Sequence, residues 1–258
     1  MINLIPMTYY ENERNYTINS KVNFISNVNV SIDDQFNCLK FCWDMTIGQK
    51  GKHRANRTGG MKKRKPMDIF CDAFIGKMGE VAFHHFCEKR NIAEVSDIDY
   101  ECTPLGKWDD TDFTIKNKKT GGIFKIAIKT TKNFGNLLLL EQKDWEINRE
   151  GKVVYMPNKN NHSKGVYDFL VFCRVKTNLS NIVDKELFKK EDAQGFLNQT
   201  LRRLLVELQV VGYVRNSDLV EMINSNNFLI KQGDRLNRKT VMDASNYYIQ
   251  SGSFKQFE

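Results

Sequence analysis

The chain has 258 residues, 41% hydrophobic and 27% charged, the make-up of a globular protein that can bury a sizeable core as one large domain or two small ones. No apolar run approaches the roughly 18 residues needed for a membrane span, and the N-terminus lacks a basic start followed by an apolar stretch, so neither a membrane partner nor a secretory leader is expected and the location reads as cytoplasmic. A formal net charge of +8 points to a polyanionic partner, and six cysteines with no C-x-x-C pair point to reduced, buried thiols.

Residues 1–35 are polar and Asn-rich, with a strand-like piece at 21–30, and 36–43 reads as a short helix. Between 45 and 67 there is no acidic residue, while Lys50, Lys52, Arg54, Arg57, Lys62, Lys63, Arg64 and Lys65 crowd around Gly59-Gly60. Such a basic loop would release counterions on a phosphate backbone; a solvated linker is the plain alternative. Pro66 then opens a helix over 67–90, as helix starts prefer. Within it, a zinc reading would gather Cys87 with His84 and His85, but the spacing matches no standard zinc ribbon or finger.

From 97 the texture changes to strands, at 97–102, 111–116 and 123–131, with the turn Asn-Lys-Lys-Thr-Gly-Gly at 117–122. Residues 167–175 are almost continuously apolar, as in a central strand buried on both faces. Residues 193–210 carry Phe196, Leu197, Leu201, Leu204, Leu205 and Leu208 at spacings of three and four, which predicts an amphipathic helix. The expected fold is α/β: a mixed sheet flanked by helices 67–90 and 193–210. The expected organisation is an N-terminal segment with the basic loop (1–66), a core (67–180) and a C-terminal mixed region (181–258).

The hairpin carries the chemistry. Period-two alternation puts Phe124, Ile126 and Ile128 on one face and Lys125, Ala127 and Lys129 on the other. If Lys116 lies opposite Ile123, opposed residues sum to 239 and Asp112 falls across from Ala127, about 5 Å away at Cβ. Asp112, position 127 and Lys129 are then expected to share one small volume. From the preceding helix, Glu80 lies on the row Ala73, Gly76, Glu80, Phe83, Cys87, otherwise small or apolar. A glutamate there is costly unless it binds a cation or pairs, for which Lys77 and His84 are the candidates.

The order of helix glutamate (Gly79-Glu80), Thr-Asp-Phe (111–113), hairpin, and Lys-Ile-Ala-Ile-Lys-Thr-Thr (125–131) resembles the PD-(D/E)XK nuclease superfamily, to which most type II restriction endonucleases belong. The resemblance covers about residues 70–175. It implies a Mg²⁺-dependent endonuclease on double-stranded DNA, with Asp112 the motif aspartate, Lys129 the motif lysine and Glu80 the accessory helix acid. Asp112, Glu80 and position 127 would be the metal ligands, and Lys129 would orient the attacking water. Thr130 and Lys132 would join the basic loop on the phosphates. Asp109 or Asp110 is the alternative motif aspartate.

Thr111 replaces the family proline, and Ala127 stands where the family has Asp or Glu. An alanine there implies an introduced Asp-to-Ala or Glu-to-Ala change, a carboxylate relocated to Glu80 or elsewhere, or a naturally inactive descendant. The alternative function is a non-catalytic DNA-binding protein on a degenerate nuclease core. No P-loop pattern occurs, which argues against an ATP-driven translocase. A homodimer fits symmetric cleavage of duplex DNA, and base-reading side chains are sought between Arg174 and Lys239.

Overall fold

A computed structural model describes residues 2–48, 50, 65–102, 111–156, 165–183 and 192–257. Six of the eight cations of the basic loop (Lys52, Arg54, Arg57, Lys62, Lys63 and Arg64), together with Asp109 and Asp110, lie outside these residues.

The N-terminal segment forms β1 (Thr8–Tyr10) and β2 (Asn15–Thr17). Helix α1 (Ile32–Thr46) begins where Ser31 closes a capping box with Asp34, and α2 (Pro66–Arg90) has its proline in the first turn. These starts satisfy amide groups that the first turn leaves without helical partners. Phe70, Phe74, Met78, Val81 and Phe83 of α2 are at most 1% exposed. Burying each side chain of this size contributes about 2 kcal/mol.

Beyond α2 the chain forms β3 (Ala93–Val95), β4 (Phe113–Asn117) and β5 (Ile123–Lys132). The antiparallel β4–β5 hairpin has the expected register, with Lys116 opposite Ile123 and Phe113 opposite Ile126. Gly121 makes the turn possible at φ +69°, a backbone region that disfavours side chains. The predicted strand at 97–102 is chain outside any helix or ladder; β3 takes its place against β4.

The chain continues through β6 (Leu137–Glu141), β7 (Trp145–Ile147), β8 (Val153–Tyr155), β9 (Gly165–Val166) and β10 (Phe169–Thr177). Strand β10 runs parallel to β5 and is buried along both faces, as its apolar run predicts. The short helix α3 (Leu179–Ile182) and α4 (Ala193–Leu201) follow. The predicted helix at 193–210 stops at Leu201, and β11 (Val206–Arg215) pairs antiparallel with β10. Its β-branched Val206, Val210, Val211 and Val214 favour a pleated, buried surface over helix. The core sheet thus has the order β11-β10-β5-β4-β3. The remaining elements are α5 (Asn216–Asn224), β12 (Leu229–Ile230), β13 (Arg235–Leu236), β14 (Thr240–Val241) and β15 (Asn246–Gln250).

The fold is α/β, with two separate cores on the two faces of this sheet. One gathers α1, α2 and α4 over Phe113, Ile126, Ile128, Val171, Cys173 and Leu208. The other packs α5 and the small sheets over Ala127, Leu170, Phe172, Val211 and Val214. The strand pairing crosses the boundaries expected at 66 and 180. β11 forms an edge of the core sheet, β2 pairs with β13, and Val28 bridges to Leu208. Near the N-terminus, the Ile2 amide donates to Asp218 and the Gln250 side chain donates to the Ile5 carbonyl. All six cysteines are free, and burial pushes the Cys38 and Cys87 thiols up to about 12, so they behave as small apolar groups. Among the described residues, no helix is long and apolar enough to cross a membrane.

Candidate active site

Asp112 sits where β4 leaves β5. In the hairpin's register the Ile128 N–H would next meet the Thr111 carbonyl. Instead the Asp112 carboxylate accepts it, at 2.6 Å from Oδ2 to N. The Thr111 hydroxyl turns back onto the Phe113 and Ile126 carbonyls at 2.7 and 2.9 Å, closing the strand end. A short aspartate is thereby fixed in orientation by backbone at the last rung of a ladder. From residue 129 onward β5 has β10 on one side and, among the described residues, no strand on the other.

Helix α2 brings Glu80 to the same point. Gly79 permits this: a Cβ there would lie 1.9 Å from the Thr130 hydroxyl oxygen, so only glycine lets the helix settle on β5 at this depth. Glu80 and Asp112 line one cavity of about 230 Å³ with Lys77, Asp97 and Asp99. Among the described residues the cavity thus has four carboxylates and one ammonium. The ammonium, Lys77 Nζ, lies 2.6 Å from Glu80 Oε2 and donates to the Asp99 carbonyl at 2.6 Å, above the Phe41 ring at 4.5 Å. The Lys77 pairing, one of the two open for Glu80 in the sequence, is therefore present, and it does not neutralise the site. Burial pushes the Glu80 carboxyl up to about 8, with the neighbouring Asp112 charge adding to the effect and Lys77 opposing it.

The four motif positions do not converge as the alternation suggested. Ala127 is fully buried on the opposite face of the sheet from α2, in the core with Leu170 and Phe172. It does not border the cavity. Strand alternation does place Lys129 on the Ala127 face, with its ammonium 5.0 Å from the Tyr155 ring centre and 5.9 Å from that of Trp145. The expected shared volume of 112, 127 and 129 is thus replaced by an acidic cavity on the helix side and an aromatic-backed lysine on the other. The register was read correctly from Phe113 to Lys116, but the ladder stops before the expected Asp112–Ala127 pair, and the Asp112 N–H donates to the Ile126 carbonyl instead. The geometry changed because Asp112 leaves the pleat and turns its carboxylate into the plane of the sheet.

Four of the expected phosphate contacts lie among the described residues. Lys65 is exposed at the start of α2, Lys50 is paired with Asp44 at 3.1 Å, and Lys132 is exposed at the end of β5. Thr130, by contrast, packs against Gly79 and serves the helix–strand contact. Arg174 is 1% exposed and cannot read a groove. Trp43 and Trp145 are buried packing residues. The cavity residues that sequence reasoning missed are Asp97 and Asp99. The acidic spacing Asp-Ile-Asp was visible, but the assignment of 97–102 to a strand hid its approach to α2.

No family model matches this chain, and no curated protein or solved structure does.

Proposed function

We propose that this chain is a Mg²⁺-dependent endodeoxyribonuclease acting on double-stranded DNA, built on a PD-(D/E)XK-like core in which Glu80 and Asp112 are the protein ligands. The observation that carries this reading is a pair of carboxylates, one from a buried helix face and one from a strand end, lining a single cavity with more negative than positive groups. Such an arrangement is expensive without a cation. Hard oxygen donors, few in number, suit Mg²⁺, which keeps several of its own waters. When bound, the ion would activate a water and offset charge on the scissile phosphate.

The chain's own residues have separable tasks. The Ile128 amide holds Asp112 in one orientation, and Gly79 sets the depth at which Glu80 enters. Lys77 neutralises Glu80 in part while staying tied to the Asp99 carbonyl. Lys129 extends from β5 past the last rung that β4 covers, where a phosphate at that strand edge meets an ammonium. A carboxylate supplied by α2 in place of the one missing at 127 accounts for the enclosure of Ala127, which leaves no room for a ligand there. Lys65, Lys132 and the basic loop supply positive charge for the DNA backbone, and a type II restriction endonuclease is the form that best fits a chain without a translocase motif.

The enclosure of Ala127 and the distance of Lys129 from the acidic cavity favour one rival, a DNA-binding protein that no longer cleaves. The two readings part in a single assay: nicking of supercoiled plasmid and cutting of phage DNA in Mg²⁺ by the native chain, Glu80→Gln and Asp112→Asn. Cleavage by the native chain that both substitutions abolish supports the nuclease. Tight, salt-sensitive duplex binding with no cleavage by any of the three replaces it with the binding protein.

A further inference from the structure

One turn beyond Glu80, α2 carries a second cluster that the acidic cavity does not use. His84, His85 and Glu88 each offer a ligand atom, and these atoms lie within 4.8 Å of one another, the one such group of three among the described residues. Glu88 Oε2 is 3.4 Å from His84 Nδ1 and 3.1 Å from His85 Nδ1. Around a tetrahedral zinc ion, with bonds of about 2.0–2.1 Å to nitrogen and oxygen, neighbouring ligand atoms stand roughly 3.3–3.4 Å apart. Glu88 already stands at close to that spacing from each imidazole.

Two further observations point to a metal ion. The far ring nitrogen of His85, Nε2, lies 2.9 Å from Asp34 Oδ2. That carboxylate is itself fixed by the Ser31 amide and hydroxyl at 2.9 and 2.6 Å. A carboxylate on the second nitrogen is how metal-binding histidines are commonly oriented. In addition, His84 Nδ1 is buried and, although 3.4 Å from Glu88 Oε2, makes no hydrogen bond, at a cost of about 1–3 kcal/mol for an unsatisfied group. A charged His85 clamped between Asp34 and Glu88 would explain the His85 contacts, but it would leave His84 Nδ1 unsatisfied. A metal explains both.

We propose that His84, His85 and Glu88 form a site for a zinc-class divalent transition metal, with Asp34 orienting His85 so that the ion ties the first turn of α1 to α2. Two imidazoles and one carboxylate select a borderline ion over Mg²⁺. The side chains are 16%, 33% and 57% exposed, so the fourth position faces solvent. Cys87, the partner that the sequence offered for these histidines, is buried in the core beneath α2 and takes no part. This site does not depend on the nuclease reading.

The test is Zn²⁺ titration of the tag-free, chelator-stripped chain by calorimetry, with Co²⁺ absorption as a second readout. With Mg²⁺ in excess to hold the Glu80–Asp112 cavity, the expected result is one ion per chain, with the intense visible bands of four-coordinate cobalt. His84→Gln and Glu88→Gln should each weaken binding more than Asp34→Asn, which should cost roughly 10- to 100-fold as an outer partner. Glu80→Gln and Asp112→Asn should leave zinc binding unchanged. Zinc binding no tighter in the native chain than in the His84→Gln/Glu88→Gln double variant would overturn the proposal, as would faint, six-coordinate cobalt spectra. Should a variant unfold, the cobalt spectrum of the native chain decides alone.

Discussion

Arg174 and Glu80 both carry ionisable groups held largely out of water, and the fold treats them in opposite ways. Arg174, 1% exposed on β10, gives its guanidinium to neutral oxygens on every side. It donates to the Gln209 side chain, the Val22 and Asn23 carbonyls and the Asn136 side chain, at 2.9–3.2 Å. Every partner is fixed by sheet or backbone, so this charge ties four stretches of chain together. Glu80 has one cation beside it, a second carboxylate facing it across the same cavity, and a carboxyl pushed up to about 8. A buried charge with a fixed acceptor for each of its three nitrogens stabilises the fold. A buried acid whose needs are met only in part is stabilised further by something the chain does not itself contain.

That contrast makes sharp demands. Arg174→Met should cost about 4 kcal/mol in urea unfolding, because it removes the charge and orphans several buried carbonyls. A loss below about 1 kcal/mol would mean that the network does not hold those segments. Ala127→Glu comes next, at about 3 kcal/mol or more, since it buries a carboxylate between Leu170 and Phe172. If that substitution instead raised Mg²⁺-dependent cleavage and left stability alone, position 127 would face the chemistry and the ligand assignment to Glu80 would fail.

Asp112→Asn and Glu80→Gln should lower cleavage by about 100-fold or more, near 2.7 kcal/mol, with melting temperatures equal to or above the native chain's. The smallest effect is the dependence on pH. The folded Glu80 carboxyl titrates at about 8 against a reference of 4.5. Its stabilising contribution is therefore full below the reference value and fades as pH rises through about 8. In chelator, the melting temperature of Glu80→Gln should gain on the native chain between about pH 5 and about pH 9, and Mg²⁺ should narrow that gap by favouring the ionised carboxylate. A gap that stays constant across this range would place the Glu80 carboxyl in the ordinary range and remove the contrast with Arg174.

What the sequence disclosed was mainly local. The 117–122 turn with its glycines set the hairpin register to the residue, Pro66 marked the start of α2, and the apolar run before Thr177 announced a strand covered on both faces. Leu204, Leu205 and Leu208 misled because their helical spacing continued that of Phe196 and Leu197. The β-branched valines from Val206 on, paired with β10, take the strand instead. The candidate site was half legible. Glu80 betrayed itself as an acid on an apolar stripe, and Asp112 by its place before the hairpin. That Ala127 faces the other core was already in the alternation of β5; that Asp112 does not share its face follows from Asp112 leaving the pleat to take the Ile128 amide, a decision made by one side chain that no periodicity records. Asp97 and Asp99 reach the cavity through chain outside any helix or ladder, for which sequence pattern has no signature.

The sewing of early residues to late ones also fixes when the protein can become itself. On a ribosome, β10 emerges with one side bare until residues 206–215 follow, and Arg174 finds Val22 and Gln209 only after both ends of a long loop are available. The strands near the N-terminus wait longer still, β2 for residues 235–236 and Ile5 for Gln250. Pairings so distant in sequence close slowly and late. Translation would thus deliver a chain whose acidic cavity has its residues early but no settled sheet beneath it, and any cutting activity would be withheld until synthesis has passed the last of those strands.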